Sequence, residues 1–116
     1  MKRAARLRAQ DARLHAGFAF ELGQGLSAGR MLGDVKTFGA ILFSLSVIGE
    51  AVRHIPREML GAEPGIPWRS IVMMRNHIVH AYWQIRAETV ARVIREDLPG
   101  LIAALDRLAA APDKAP

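Results

Sequence analysis

The residues with the clearest capacity for chemistry are clustered in Arg75-Asn76-His77-Ile78-Val79-His80-Ala81-Tyr82. Histidine, with an unperturbed pKa of about 6.5, takes and returns protons near neutrality. Arginine grips a phosphate through paired N–H donors and stabilises the charge that grows on its oxygens in the transition state. The chain has no cysteine, so a thiol nucleophile is excluded. Arg75 and His80 together fit cleavage of an RNA phosphodiester by its own 2′-hydroxyl, with no metal ion and no cofactor called for. Asn76, four residues before His80, is a candidate hydrogen-bond partner for that imidazole or for the substrate.

Five positions separate Arg75 from His80. On an α-helix this sets them roughly 140° apart in direction and about 7 to 8 Å apart along the axis, too far to grip one phosphate between them. Two such helices meeting about a twofold axis would bring two arginines and two histidines around one cleft, which points to a composite site in a homodimer. Tyr82, seven positions from Arg75, is expected back on nearly the same helix face.

The plainer readings are also open. Arg75 could be a solvated or ion-paired surface group. His77 and His80 have a spacing that a metal could use, but neither an HExxH pattern nor a carboxylate partner accompanies them, so no metal site is expected. Tyr82 and Trp83 could stack on bases or close the end of a helical core. Met73 and Met74 read as core filler.

The elements that must carry these residues are helical. Residues from about Ala4 to Phe20 favour a helix by propensity, although their apolar spacing is only moderately regular. Glycines from Gly23 to Gly33, with Ser27, mark a loop or a frayed helix end, after which Asp34 offers an N-cap. A second helix is predicted from about Val35 to His54, because Phe38, Ile41, Leu42, Leu45, Ile48 and Val52 recur at three and four residues. Pro56, Gly61, Pro64, Gly65 and Pro67 then build a rigid connection. The third helix, predicted from Trp68 to about Trp83, carries the reactive segment. The fourth is marked by Val90, Val93, Ile94, Leu98, Leu101, Ile102, Leu105 and Leu108, with a kink or break expected at Pro99-Gly100. Residues 111–116 are expected to fray. No segment alternates with period two, so four antiparallel helices are the simplest architecture.

With 116 residues the chain is long enough for one core and too short for two. Its 51% hydrophobic and 23% charged residues are those of a globular domain. The net charge of +5 comes almost entirely from arginine and suits a polyanionic partner, though solubility alone would account for it. The absence of cysteine sits well with a reducing cytoplasm. The apolar run Phe38 to Gly49 is short of the roughly 18 residues that a bilayer requires, so no membrane association is expected. The basic start lacks the uninterrupted apolar region of a secretory signal.

Beyond spacing, several blocks stand together: Val47-Ile48-Gly49-Glu50-Ala51, Ile66-Pro67-Trp68, Met74-Arg75-Asn76 through His80-Ala81-Tyr82, and Glu96-Asp97-Leu98-Pro99. In order and spacing the chain from about Leu42 to Leu108 resembles the HepT-like branch of the HEPN superfamily. The resemblance implies an all-α, four- to five-helix HEPN bundle in a single domain over 1–116. It further implies a homodimer that cuts RNA without metal as the toxin of a type VII-like toxin–antitoxin module. Arg75 and His80 match the family's Arg-x4-His pair. Tyr82 matches a tyrosine that a nucleotidyltransferase antitoxin of the MntA kind adenylylates, and an anionic adduct there would block the phosphate site. Glu50 is a candidate partner for Arg75, or faces solvent. Residues 1–35 diverge from the family, as do Ser44, where asparagine is common, and Arg86, where an acidic residue often follows. That divergence motivates the alternatives: a non-catalytic helical partner of a nucleotidyltransferase, an RNA-binding homodimer, or a purely structural dimer.

Overall fold

Local chemistry sets where each helix begins. The computed structural model describes residues 3–112. Helix α1 spans Arg3–Gly23 and, after a short turn, α2 spans Ala28–Leu32. Helix α2 exists because the Ser27 hydroxyl accepts the Arg30 backbone N–H, so the glycine-rich stretch is not wholly the loop its composition suggests. Helix α3, Val35–Arg53, starts at Asp34, whose carboxylate accepts both the backbone N–H and the hydroxyl of Thr37, at 3.1 and 2.7 Å. Those two hydrogen bonds hold the Asp34 carboxyl below its ordinary range. A single turn, α4 (Arg57–Leu60), lies within the proline-rich connection to α5, Trp68–Ala81.

Residues 87–110 continue as one rod: α6 (Ala87–Arg92), a π-turn (Val93–Asp97) and α7 (Leu98–Ala110). The break expected at Pro99 is absent. Proline has no N–H, and its ring presses on the carbonyl four residues back, here Arg95. The wide π-turn just ahead of Pro99 loosens the backbone at that point, so the helix carries on through it. Ala111 and Pro112 follow the end of α7, and the rest of the tail expected to fray lies outside the described residues.

Four long helical segments make the bundle. Helix α3 packs against α1 on one side and α5 on the other, and α1 packs in turn against α7. The α1 seam is built from small residues: Ala5, Ala9, Ala12, Ala16, Ala19 and Gly23 are all buried, at intervals of three and four. At Gly23 a Cβ would collide with the Ile94 side chain, so glycine is what lets α1 close on the π-turn. Ile41, Leu45, Ile48 and Val52 of α3, with Val90, Ile94, Leu98, Leu101 and Leu105, fill the centre around Met31. The ion pairs Arg13–Asp106 (2.8 Å) and Arg107–Glu63 (2.6 Å) tie α7 to α1 and to the proline-rich connection.

Helix α3 is longer than its uninterrupted apolar run, and by length and composition alone it could cross a membrane. In this fold its Ile41, Ser44, Leu45, Ile48, Gly49, Ala51 and Val52 are buried, as the core helix of the bundle requires. Met73 is 60% exposed, so it is not the core filler its apolar character suggests, whereas Met74 is partly buried against the core.

Candidate active site

Helix α5 enters the bundle at Trp68. Its indole N–H reaches the carbonyls of Leu60 and Glu63, at 3.0 and 3.1 Å, which pins the first turn of α5 to the preceding connection. From that anchor the 3.6-residue repeat directs Ile71, Met74 and Ile78 inward. It also delivers Arg75 to α3.

The meeting point is Gly49. A Cβ at that position would overlap the Cβ of Arg75 and lie 3.1 Å from the Ile71 carbonyl oxygen, so only a glycine permits this approach of α3 to α5. The next residue, Glu50, then reaches Arg75: guanidinium Nη2 lies 3.0 Å from Glu50 Oε2. The other terminal nitrogen, Nη1, donates to Asn76 Oδ1 at 2.9 Å. With its side chain only 22% exposed, Arg75 is held at both forks.

Glu50 is itself shared. Its Oε1 accepts from Arg53 Nη2 and pairs with His54 Nε2, both at 2.9 Å. Hydrogen bonds from Arg53 and then His54, reinforced by the charges of Arg53 and Arg75, hold the Glu50 carboxyl below the usual glutamate range. Glu50 therefore stays ionised at neutral pH and supplies the counter-charge for Arg75. Asn76 accepts from Arg75, a partner its position did not suggest, and among the described residues no hydrogen bond joins it to His80.

His80 has different surroundings. It is exposed near the last turn of α5 and lines a shallow groove with Asn76, His77, Gln84 and Arg86. Among the described residues no hydrogen bond or ion pair links it to Arg75 or Glu50. Since both groups lie within α5, ahead of the turn at Ala81, they keep the angular and axial offset of their spacing.

Tyr82 departs from the expected position. At Ala81 the backbone turns to φ −151°, ψ 47°, and residues Tyr82–Gln84 form a 3₁₀ turn. Tyr82 thus lies off the α-helix, and the seven-residue return to the Arg75 face does not apply. Tyr82 and Trp83 are 64% and 69% exposed and meet edge to face at 5.6 Å, so they do not close a core.

A single helix thus carries one guanidinium held from two sides and one exposed imidazole. Residues 12–108, a span that contains every residue just described, match the family of Ribonuclease HepT-like proteins. This chain belongs to the HepT-like ribonuclease family. It is thereby one of a family of RNA-cleaving enzymes. The chain is 35% identical over 75 residues, 65% of its length and 68% of the relative's, to a "Probable ribonuclease HepT" of Thermococcus cleftensis. It is also 31% identical over 77 residues to an archaeal "Putative RNase" of Methanocaldococcus jannaschii, over 66% of this chain and 64% of that one. A bacterial "Putative RNase" of Caldanaerobacter subterraneus is 30% identical over 84 residues, 72% and 75% of the two chains. No solved structure matches. Two blocks that spacing alone left without a role have one in the structure: Gly49 is the contact point of α3 and α5, and Trp68 anchors α5.

Proposed function

We propose that this HepT-like chain is a metal-independent endoribonuclease in which Arg75 holds the scissile phosphate and His80 moves protons. The observation that carries the reading is the clamp on Arg75: Glu50 and Asn76 hold its guanidinium from two sides at the α3–α5 contact. Such preorganisation lets a donor stabilise developing charge without reorganising as the reaction proceeds. In the reaction the 2′-oxygen of RNA loses its proton and bonds to phosphorus, and the P–O5′ bond breaks. The departing 5′-oxygen regains a proton, leaving a 2′,3′-cyclic phosphate and a 5′-hydroxyl. His80 serves as the acid or base for one of these transfers.

The offset of Arg75 from His80 favours a twofold homodimer in which Arg75 of one copy faces His80 of the other, with solvent taking part in the second proton transfer. The exposed Met73, Val79, Tyr82 and Trp83 on and just beyond α5 offer apolar surface for that contact. Purified protein should cleave single-stranded RNA in EDTA with cyclic-phosphate ends, and Arg75→Ala or His80→Ala should abolish it while helicity is retained. Activity that survives in both variants would favour the alternative of a non-catalytic helical partner.

Control by a nucleotidyltransferase antitoxin within a toxin–antitoxin module is part of the same proposal. Tyr82 is well exposed, as a modified tyrosine must be. An adenylyl group there would add negative charge and bulk at the end of α5. Intact-mass analysis after incubation with a cognate nucleotidyltransferase and ATP should show added AMP that is absent from Tyr82→Phe.

A further inference from the structure

Glu50 holds Arg75 with one oxygen only. Oε2 faces Arg75 from α5 at 3.0 Å, while Oε1 is held by Arg53 and His54 from its own helix, both at 2.9 Å. The two sets of partners are independent of one another. Arg53 and His54 are about half exposed, and neither bonds to Arg75.

An RNA phosphate that binds Arg75 draws on the same guanidinium charge that Glu50 pairs with at 3.0 Å. If Arg75 were the sole partner of Glu50, giving it up would leave a carboxylate without a partner beside an incoming anion. Both the lost pairing and the like-charge repulsion would oppose binding. Oε1 removes that obstacle, because its two bonds persist when Oε2 gives up the guanidinium. They also keep the carboxylate close enough to realign Arg75 once product leaves.

We propose that Arg53 and His54 are positioning residues of the cleavage site, holding Glu50 through Oε1 so that Oε2 yields Arg75 to an RNA phosphate. This rests on the reading of Arg75 as the phosphate contact. Without the α3 pair, Glu50 competes more strongly for Arg75, so the loss falls on substrate binding rather than on the chemical step.

The test is steady-state cleavage of a fluorophore-labelled, mixed-sequence single-stranded RNA by the full chain. Arg53→Met with His54→Ala should raise KM about tenfold with kcat within about twofold, since each exposed pair shifts an equilibrium only a few-fold. Adding Glu50→Gln to that double variant should bring KM back toward the wild-type value while kcat falls, because an uncharged amide competes less for the guanidinium and also aligns it less well. An unchanged KM in the double variant overturns the proposal. So does a raised KM that Glu50→Gln fails to restore, which would make Arg53 and His54 direct RNA contacts. A fully active Arg75→Ala enzyme would instead overturn the underlying phosphate-contact reading, an outcome that the other variants do not mimic. Both side chains are at the surface, and circular dichroism of each variant should match the wild type.

Discussion

The middle of α5 and its C-terminal end differ in how they treat their reactive side chains. At the middle, Gly49 brings α3 against the backbone of α5, and Arg75 is held by Glu50 and Asn76. At the end, His80 is exposed, no described residue holds it, and the helix breaks one residue later at Ala81. The contrast shows that one chain fixes the guanidinium of this helix and leaves the imidazole at a surface edge. On the proposed reading, a second copy and the substrate complete the site there.

The comparison can be broken most decisively at the two reactive residues. Arg75→Ala should lower kcat by about 10²- to 10³-fold, as loss of a charge-stabilising donor does. His80→Ala should lower it by about 10²- to 10⁴-fold, as loss of a general acid or base does. Initial rates on labelled RNA check both. Gly49→Ala comes next. Added helix propensity would contribute up to about 1 kcal/mol, but overpacking against Arg75 and the Ile71 carbonyl should cost about 1 to 3 kcal/mol. Denaturant unfolding should show net destabilisation, with cleavage falling further than stability alone would require. An equally stable, fully active variant would show that the α3–α5 approach does not set the site.

The smallest effect concerns protonation. Because the folded-state pKa of Glu50 is depressed, its pairing with Arg75 is present above the ordinary glutamate value of 4.5 and is lost only as pH falls through the lower folded value. A side-chain carboxyl NMR titration should place the Glu50 midpoint below 4.5. A midpoint at or above that value would mean that Arg53 and His54 do not hold the carboxylate.

Large side chains at helical spacing made α3, α5 and α7 legible in the sequence, and Asp34 marked where α3 begins. The reactive segment was legible as residue types, and the family resemblance tied them to one kind of site. What spacing could not show follows from two physical causes. The α1 seam is alanine, so its periodicity is carried by residues whose apolar contrast with their neighbours is weak. The α3–α5 contact depends on which glycine meets which helix, a tertiary fact that marks Gly49, Arg53 and His54 only once the two helices are placed. Tyr82 was misplaced because ideal helix geometry was extended one residue too far. Nothing in Ala81-Tyr82-Trp83 is a helix breaker by type, and the turn toward α6 ends the helix there. At Pro99 the helix is not interrupted, and the irregularity that its missing N–H suggests takes the form of the π-turn just ahead of it.

The central claim, that the cleft combines Arg75 of one copy with His80 of another, is tested most directly by mixing. Arg75→Ala and His80→Ala proteins, each inactive alone, are co-refolded and assayed on labelled RNA. Random pairing makes half the dimers mixed, each with one of its two Arg–His pairs intact across the interface, so about a quarter of wild-type activity should return. No recovery, in a mixture shown by mass to contain the mixed dimer, would contradict the account.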